Sequence, residues 1–315
     1  MLVDSPIATQ SDTAELERAY EFCRQITKKH AKSFYFSARF LKPPKRRPIY
    51  ALYALCRLVD DEVDAAEVKN EIEAIAAVER WKSALSKLYQ SAGQNQKNES
   101  VAALSHQNNA AQQIMLAWSE MLKTYDIREE LPLELMRGVL MDTHIKRYET
   151  WAELYVYCYR VASTVGLMSS EIFGYEKPET LEYAEALGIA MQLTNILRDV
   201  REDAAMNRIY LPTEDLQKFG VSEEQILANR FDENFASLIK FEIERARHYY
   251  SLAEKGIALL ERDARFTVLL AARIYGKILS EIEKLDYNVF AARAHTTAAQ
   301  KFSLIPRIWQ IARKM

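Results

Sequence analysis

Apolar residues recur along this chain at spacings of three and four, and no run of strict apolar–polar alternation has useful length. A period near 3.6 gathers such residues on one helix face, so the pattern predicts helices and no sheet. Residues 1–12 read as a loose tail, and Asp12 followed by Glu15 opens a helix through about residue 30. Pro43, Pro44 and Pro48 interrupt the chain, with Pro48 suited to the first turn of a helix over about 48–68. Further helices are expected over about 70–90, 111–125, 131–147 and 151–173, the last ended by Gly174 and Pro178. The stretch 91–113 is rich in Gln, Asn, Ser and Ala with little apolar period and predicts a polar loop. A helix over about 179–205 follows, then a short element broken by Gly220 and a capping box at Ser222-Glu-Glu-Gln225. Two long helices, about 232–262 and 264–290, and a basic amphipathic tail over 301–315 complete the chain. The expectation is an all-α fold of about ten helices in a single domain over 1–315, without a solenoid repeat.

Composition supports that picture. Glycine and proline number only 8 each in 315 residues, and long helices need few of either. A net charge of −2 gives no reason to expect a nucleic-acid partner. Cys23, Cys56 and Cys158 have neither zinc-site nor disulfide-framework spacing, which points to a reducing compartment. With no apolar run of membrane-span length and no signal-peptide pattern, a cytoplasmic location is expected.

Chemistry concentrates in two helical stripes. Taking Tyr53 as zero and about 100° per residue, Arg57 lies near 40°, Asp60 near −20° and Asp64 near 20°. Asp61 falls well off the stripe and Glu62 opposite, which makes Asp60 and Asp64 the working pair. Far downstream, Gln192, Asn195, Asp199 and Asp203 share one face of another helix. Mg²⁺ takes oxygen ligands, commonly one or two carboxylates plus substrate phosphates, so two facing pairs would suit a diphosphate. Arg57 and Arg198 stand next to the acids and can bind phosphate directly. Spacing alone leaves two readings open, a metal–diphosphate enzyme and an acidic helical scaffold.

The segments His30-Ala-Lys-Ser-Phe34-Tyr, Tyr53-Ala-Leu-Cys-Arg57-Leu-Val-Asp60-Asp-Glu-Val-Asp64, Tyr157-Cys-Tyr-Arg-Val-Ala-Ser-Thr-Val-Gly166 and Gln192-Leu-Thr-Asn195-Ile-Leu-Arg-Asp199-Val-Arg-Glu-Asp203 resemble the squalene/phytoene synthase family. Asn207-Arg208-Ile-Tyr-Leu-Pro212 does so too, and the resemblance runs in order over about residues 20–295. It implies the isoprenoid-synthase helical bundle, with a central cavity between the two Asp-x-x-x-Asp helices. It implies that Asp60, Asp64, Asp199 and Asp203 hold Mg²⁺, or Mn²⁺ in its place, with Asn195 assisting. Arg57, Arg198 and Ser33 would meet diphosphate oxygens, Arg293 would serve the second diphosphate, and His30 and Arg208 would join the substrate site. Phe34, Tyr53, Tyr157, Gln192 and Tyr275 would line the reaction cavity. Ser163 departs from the family's usual glycine, and its hydroxymethyl group is expected to narrow the cavity beside Tyr157. The polar stretch 91–113 is also longer than the family pattern.

The implied activity is prenyl transfer in carotenoid biosynthesis. One geranylgeranyl diphosphate ionises and alkylates a second to a cyclopropylcarbinyl diphosphate, which ionises again and loses a proton to give phytoene. NADPH is not expected, and the segment from Tyr275 to Arg293 is most similar to phytoene-forming members. The rivals are a C15-specific relative making presqualene diphosphate, dehydrosqualene or squalene, and a non-catalytic helical scaffold. The tail sets Phe302, Leu304, Ile305, Ile308, Trp309 and Ile311 among Lys301, Arg307, Arg313 and Lys314, which suggests peripheral membrane contact.

Overall fold

In a computed structural model the described residues are 10–67, 71–92 and 109–315. The chain enters through α1 (Gln10–His30), the short α2 (Lys32–Ala38), α3 (Pro43–Glu67) and α4 (Glu71–Ala92). It continues with α5 (Asn109–Leu122), α6 (Glu130–His144), α7 (Trp151–Cys158), a π turn (Tyr159–Ser163) and α8 (Thr164–Phe173). The remainder is α9 (Thr180–Ala205), α10 (Thr213–Phe219), α11 (Glu223–Leu227), α12 (Glu233–Ile257), α13 (Arg262–Glu283) and α14 (Ala298–Lys314). No strand occurs among the described residues, only isolated bridges at Arg147–Ile209 and Tyr175–Leu260.

Several boundaries move, each for a local reason. Residues 10–12 belong to α1, while the rest of the expected tail lies outside the described residues. Residues 91–92 and 109–113 of the expected polar loop are helical, and the rest of it, 93–108, lies outside the described residues. Helix α3 starts at Pro43, which puts Pro48 inside the helix. Pro48 has no N–H to offer the Pro44 carbonyl, and Tyr125 Oη donates to that oxygen instead, at 3.1 Å. At Ser222 only half of the expected box forms: Ser222 accepts from Gln225 N, but the Gln225 amide donates to Arg230 O. A reciprocal box caps α14 at Thr297 and Gln300. Helix α13 stops at Glu283, and Asp286 and Tyr287 turn the chain at φ 50° and 62°. Two consecutive left-handed non-glycine residues are costly, and such strain collects at functional sites. Here the turn leads into Arg293.

Two apolar clusters fill the bundle. One joins α1, α3, α4, α5 and α8, and the other joins α9, α12 and the C-terminal part of α13. Helix α9 serves both: Leu181, Ala184 and Leu187 pack on the first, and Leu193, Leu197 and Val200 lie in the second. It packs most extensively on α12.

The second cluster encloses an ionic group. Glu242 on α12 is fully buried, and its Oε1 accepts from Arg245 Nη1 at 2.6 Å, which also reaches Asp215 Oδ2 at 2.8 Å. Glu242 Oε2 has no hydrogen-bond partner among the described residues. Burial, opposed by Arg245 and reinforced by Asp215, pushes the carboxyl up to about 8. The unfolded value is about 4.3, so between the two values the folded chain holds the proton more tightly. Stability therefore falls as pH rises from about 4.3 to about 8. The thermal midpoint is expected to decline across that window, and Glu242→Gln to flatten the decline. An unchanged pH slope in the variant would remove Glu242 as its source.

Candidate active site

Helix α3 places Tyr53, Arg57, Asp60 and Asp64 along one stripe, as its period requires. Glu62 points the other way and accepts from Trp81 Nε1 on α4 at 2.8 Å, so it serves packing. Arg57 donates to Asp60 Oδ2 at 3.0 Å and to Asp61, while its buried Nε has no partner among the described residues. Asp61, off the stripe, is thus a counter-ion to Arg57. His30, at the end of α1, lies close enough for burial and the Arg57 charge to hold its pKa below the usual histidine range.

Helix α9 supplies the second stripe. Asn195 Nδ2 donates to Gln192 Oε1 at 3.3 Å. Asp199 accepts from Arg198 at 2.8 and 2.5 Å and from Arg293 Nε at 2.7 Å. Burial disfavours its charge, but these hydrogen bonds outweigh burial and keep its pKa low. Asp203 has no such clamp: burial, then Asp199 and Asp142, push it up to about 7. Asp60 reaches about 7 as well, through burial, then Asp64, with Asp142 again contributing. The charge of Asp142 thus acts on both aspartate pairs, which brings the two stripes to one place.

No motif or stripe marks Asp142 in the sequence; its one signal is an acid at the end of the apolar helix α6. It is half-buried, and the burial of its carboxyl raises its pKa although Tyr210 and Tyr157 partly offset this. Tyr157 Oη donates to its Oδ2 at 2.9 Å and Tyr210 Oη to its Oδ1 at 2.8 Å. The two rings stack 5.2 Å apart, with Tyr148 against both. Arg208 Nη2 donates to the Asp142 carbonyl at 3.2 Å, so Arg208 stands beside the third acid.

From this acidic mouth a cavity of about 1350 Å³, its opening included, runs into the bundle. Tyr53, Gln192, Asn195 and Tyr275 lie at the polar end, with Phe34 stacked on Tyr53 at 5.5 Å. Cavity-facing positions on α9 run from Asn195 back to Thr180, about 22 Å at 1.5 Å per residue. Ser170 and Phe173 on α8 close the deep end near Thr180. Helix α9 meets the π turn and α8 through small residues: a Cβ on Gly188 would lie 2.4 Å from Ser163 Cα, and one on Gly166 2.7 Å from Ala184 O. Ser163 is fully buried in that contact, its Oγ donating to Glu185 O at 2.8 Å. The added hydroxymethyl group therefore does not narrow the cavity. Tyr157 lies outside the cavity lining, turned toward Asp142. Ser33 sits on α2 beside Phe34, its carbonyl accepting from Ser37 Oγ at 3.2 Å.

The donor set fits a divalent cation and a diphosphate. Asp60 and Asp203 carry charge that neighbouring carboxylates oppose, and Arg57 holds an unsatisfied donor beside them. Among the described residues no three acidic, histidine or cysteine side chains converge closely enough to hold a metal unaided. Carboxylates completed by phosphate oxygens are the usual surroundings of Mg²⁺. No helix among the described residues is long and apolar enough to cross a membrane.

Residues 27–300 match the family described as squalene/phytoene synthase. A 15-cis-phytoene synthase of Synechocystis sp. is 40% identical, over 96% of this chain and 88% of its own length. A 15-cis-phytoene synthase of Synechococcus elongatus is 36% identical over 97% of each chain. Among solved structures, a dehydrosqualene synthase with bound ligand superposes with a TM-score of 0.83 at 28% identity, covering 96% of this chain and all of that one. With two acidic stripes meeting over an apolar cavity in an all-helical bundle, this chain belongs to the squalene/phytoene synthase family.

Proposed function

We propose that this chain is a prenyltransferase of carotenoid biosynthesis that condenses two geranylgeranyl diphosphates head to head, through a cyclopropylcarbinyl diphosphate, to phytoene. The observation that carries this reading is an acidic, arginine-bearing mouth on a long apolar cavity. Its relatives from Synechocystis and Synechococcus elongatus, both 15-cis-phytoene synthases, support the C20 assignment.

Asp60, Asp64, Asp199 and Asp203, with Asn195, hold Mg²⁺, for which Mn²⁺ can substitute. Bound there, the metal neutralises charge on a departing diphosphate. Arg57 offers its free Nε to phosphate, and Arg198 and Arg293, resting on Asp199, are poised to exchange that carboxylate for diphosphate oxygens. His30, Ser33 and Arg208 border the same mouth. Tyr53 and Tyr275, with Phe34 and Gln192, flank the start of the cavity, where ring faces shield an allylic cation from water. Tyr157 acts through its hydrogen bond to Asp142. Proton loss ends the sequence, so NADPH is not consumed. The enzyme works from the cytoplasm, in peripheral contact with a membrane that takes up its product.

Incubation with C15 and C20 diphosphates and Mg²⁺, with and without NADPH, tests this. Phytoene from the C20 substrate without NADPH is expected. Turnover of C15 alone, as a dehydrosqualene-forming enzyme would give, or a hydrocarbon only with NADPH, would refute it. Cavity depth makes a further prediction. Ser170→Phe fills the deep end, and the C20-to-C15 ratio of kcat/KM is expected to fall at least tenfold, whereas an unchanged ratio would mean the prenyl chain does not reach Ser170.

A further inference from the structure

The short helix α2 forms a wall between the cavity and an aromatic surface patch. Its inner residues Phe34, Ser37 and Ala38, with Leu41 beyond, line the cavity. Its outer residues do not. Phe36 packs edge-on against Phe40 at 5.9 Å and Phe302 of α14 at 5.1 Å, and Phe40 against Phe266 of α13 at 5.0 Å. Helix α13 repeats the division, with Thr267 and Val268 facing the cavity and Phe266 the patch.

The patch continues along α14. Phe302, Pro306, Trp309 and Arg313 fall within a narrow stripe of that helix at about 100° per residue. Phe302 is 60% and Trp309 50% exposed, while Ile308 on the opposite face is buried in the core. Phe302 touches Phe36 by an edge, but half or more of Phe302 and of Trp309 stays outside the packing of the bundle.

Charge identifies what covers it. Helix α14 carries Lys301, Arg307, Arg313 and Lys314 and no acid, and no acid occurs between Glu21 and Asp60, the segment containing α2. Lys32, Lys301, Arg307, Arg313 and Lys314 form no ion pair among the described residues. Burial and the neighbouring Lys32 hold the Lys301 ammonium below the usual lysine range, so the two cations repel each other. The acids at the head of α13, Glu261 and Asp263, are engaged by Lys45 at 2.6 and 2.5 Å, and Glu281, which accepts from the Gln300 amide of α14 at 2.9 Å, is paired with Lys284. Arg313 lies over the Trp309 ring at 4.5 Å, pairing an amphipathic ring with a cation as at lipid headgroup level.

We propose that the α2–α14 face docks this enzyme on an anionic phospholipid bilayer, setting the one-helix-thick cavity wall against the lipid so that the apolar product passes between α2 and α13 into the membrane. The exit half rests on the hydrocarbon-forming reading above; the docking half does not.

The test is sedimentation of the full chain with vesicles of phosphatidylglycerol and phosphatidylcholine, beside vesicles of phosphatidylcholine alone. The unaltered chain is expected to sediment with the anionic vesicles, and Phe302→Ser with Trp309→Ser to lower the bound fraction at least tenfold. Arg307→Glu with Arg313→Glu should do the same while keeping both rings, with the Arg313 contact to Trp309 lost along with the charge. Thermal midpoints of both variants are expected to stay close to that of the unaltered chain, and turnover in detergent to match it, because these side chains are exposed and only the Phe302–Phe36 edge and the Arg313–Trp309 contact are lost. Equal binding of the aromatic variant, or equal binding to both vesicle types, overturns the docking face. Product release into vesicles that does not slow in the aromatic variant overturns the exit. Turnover in detergent reports separately on the proposed reaction, so absent prenyl transfer with intact vesicle binding would sink only that reading.

Discussion

Asp60→Asn and Asp203→Asn are each expected to lower turnover of a C20 diphosphate about 10³-fold, the upper range for removing one preorganised electrostatic contact to a reacting group. Both carboxylates sit where burial and a second aspartate oppose their charge. Neither carries the clamp that Arg198 and Arg293 place on Asp199, and Arg57, which donates to Asp60, is shared with Asp61. A site that gathers negative charge at a cost to itself is arranged for a cation. Without metal, the Asn variants should therefore be no less stable than the unaltered chain, since a like-charge repulsion is gone. With Mg²⁺ and inorganic diphosphate, the unaltered chain should gain thermal stability through binding to the folded state, and the variants should gain little. Glu62→Gln is the control on the same helix: it faces Trp81, and its turnover should stay near normal. An Asp60→Asn enzyme of normal turnover, or one that keeps the full stabilisation by Mg²⁺ and diphosphate, would remove Asp60 from the metal site.

Helix period alone places Tyr53, Arg57, Asp60 and Asp64 on one stripe and Gln192, Asn195, Asp199 and Asp203 on another, because that geometry is local. The same rule sets Glu62 aside, and its hydrogen bond to Trp81 agrees. What the period cannot carry is contact between distant segments. Arg293 reaches Asp199 beyond a turn in which Asp286 and Tyr287 adopt left-handed backbone, a choice their side chains do not announce. The break between Tyr157 and the cavity-facing Val161 and Ala162 is a π turn in a segment whose pattern reads as uninterrupted helix. Ser163 reads as an intrusion into the cavity, yet the missing side chain of Gly188 makes room for it in a helix contact. Each miss is a tertiary fact written at two places far apart in the chain.

Asp142 is the largest of those misses, and Asp142→Ala is expected to reduce both stability and turnover. Two buried hydroxyls, Tyr157 Oη and Tyr210 Oη, donate to its two oxygens at 2.9 and 2.8 Å. Alanine leaves both donors without an acceptor, at about 1–3 kcal/mol each where water does not replace the carboxylate. The rings of Tyr148, Tyr157 and Tyr210 then lose the anchor that fixes them under the aspartates. A loss of turnover of about 10²-fold is expected, as for a positioning residue whose removal misplaces the groups at the chemistry. Asp142→Asn separates the two effects. Its amide still accepts from one tyrosine and can donate to the other, so stability should stay within about 1 kcal/mol. The charge that raises Asp60 and Asp203 is gone, however, and with it part of the attraction for a divalent cation. The Mg²⁺ concentration for half-maximal activity should therefore rise in Asp142→Asn while the thermal midpoint barely moves. Tyr157→Phe and Tyr210→Phe, which keep the charge, should leave that concentration where it was. If the Asn variant had normal Mg²⁺ dependence, Asp142 would be an anchor for tyrosines alone.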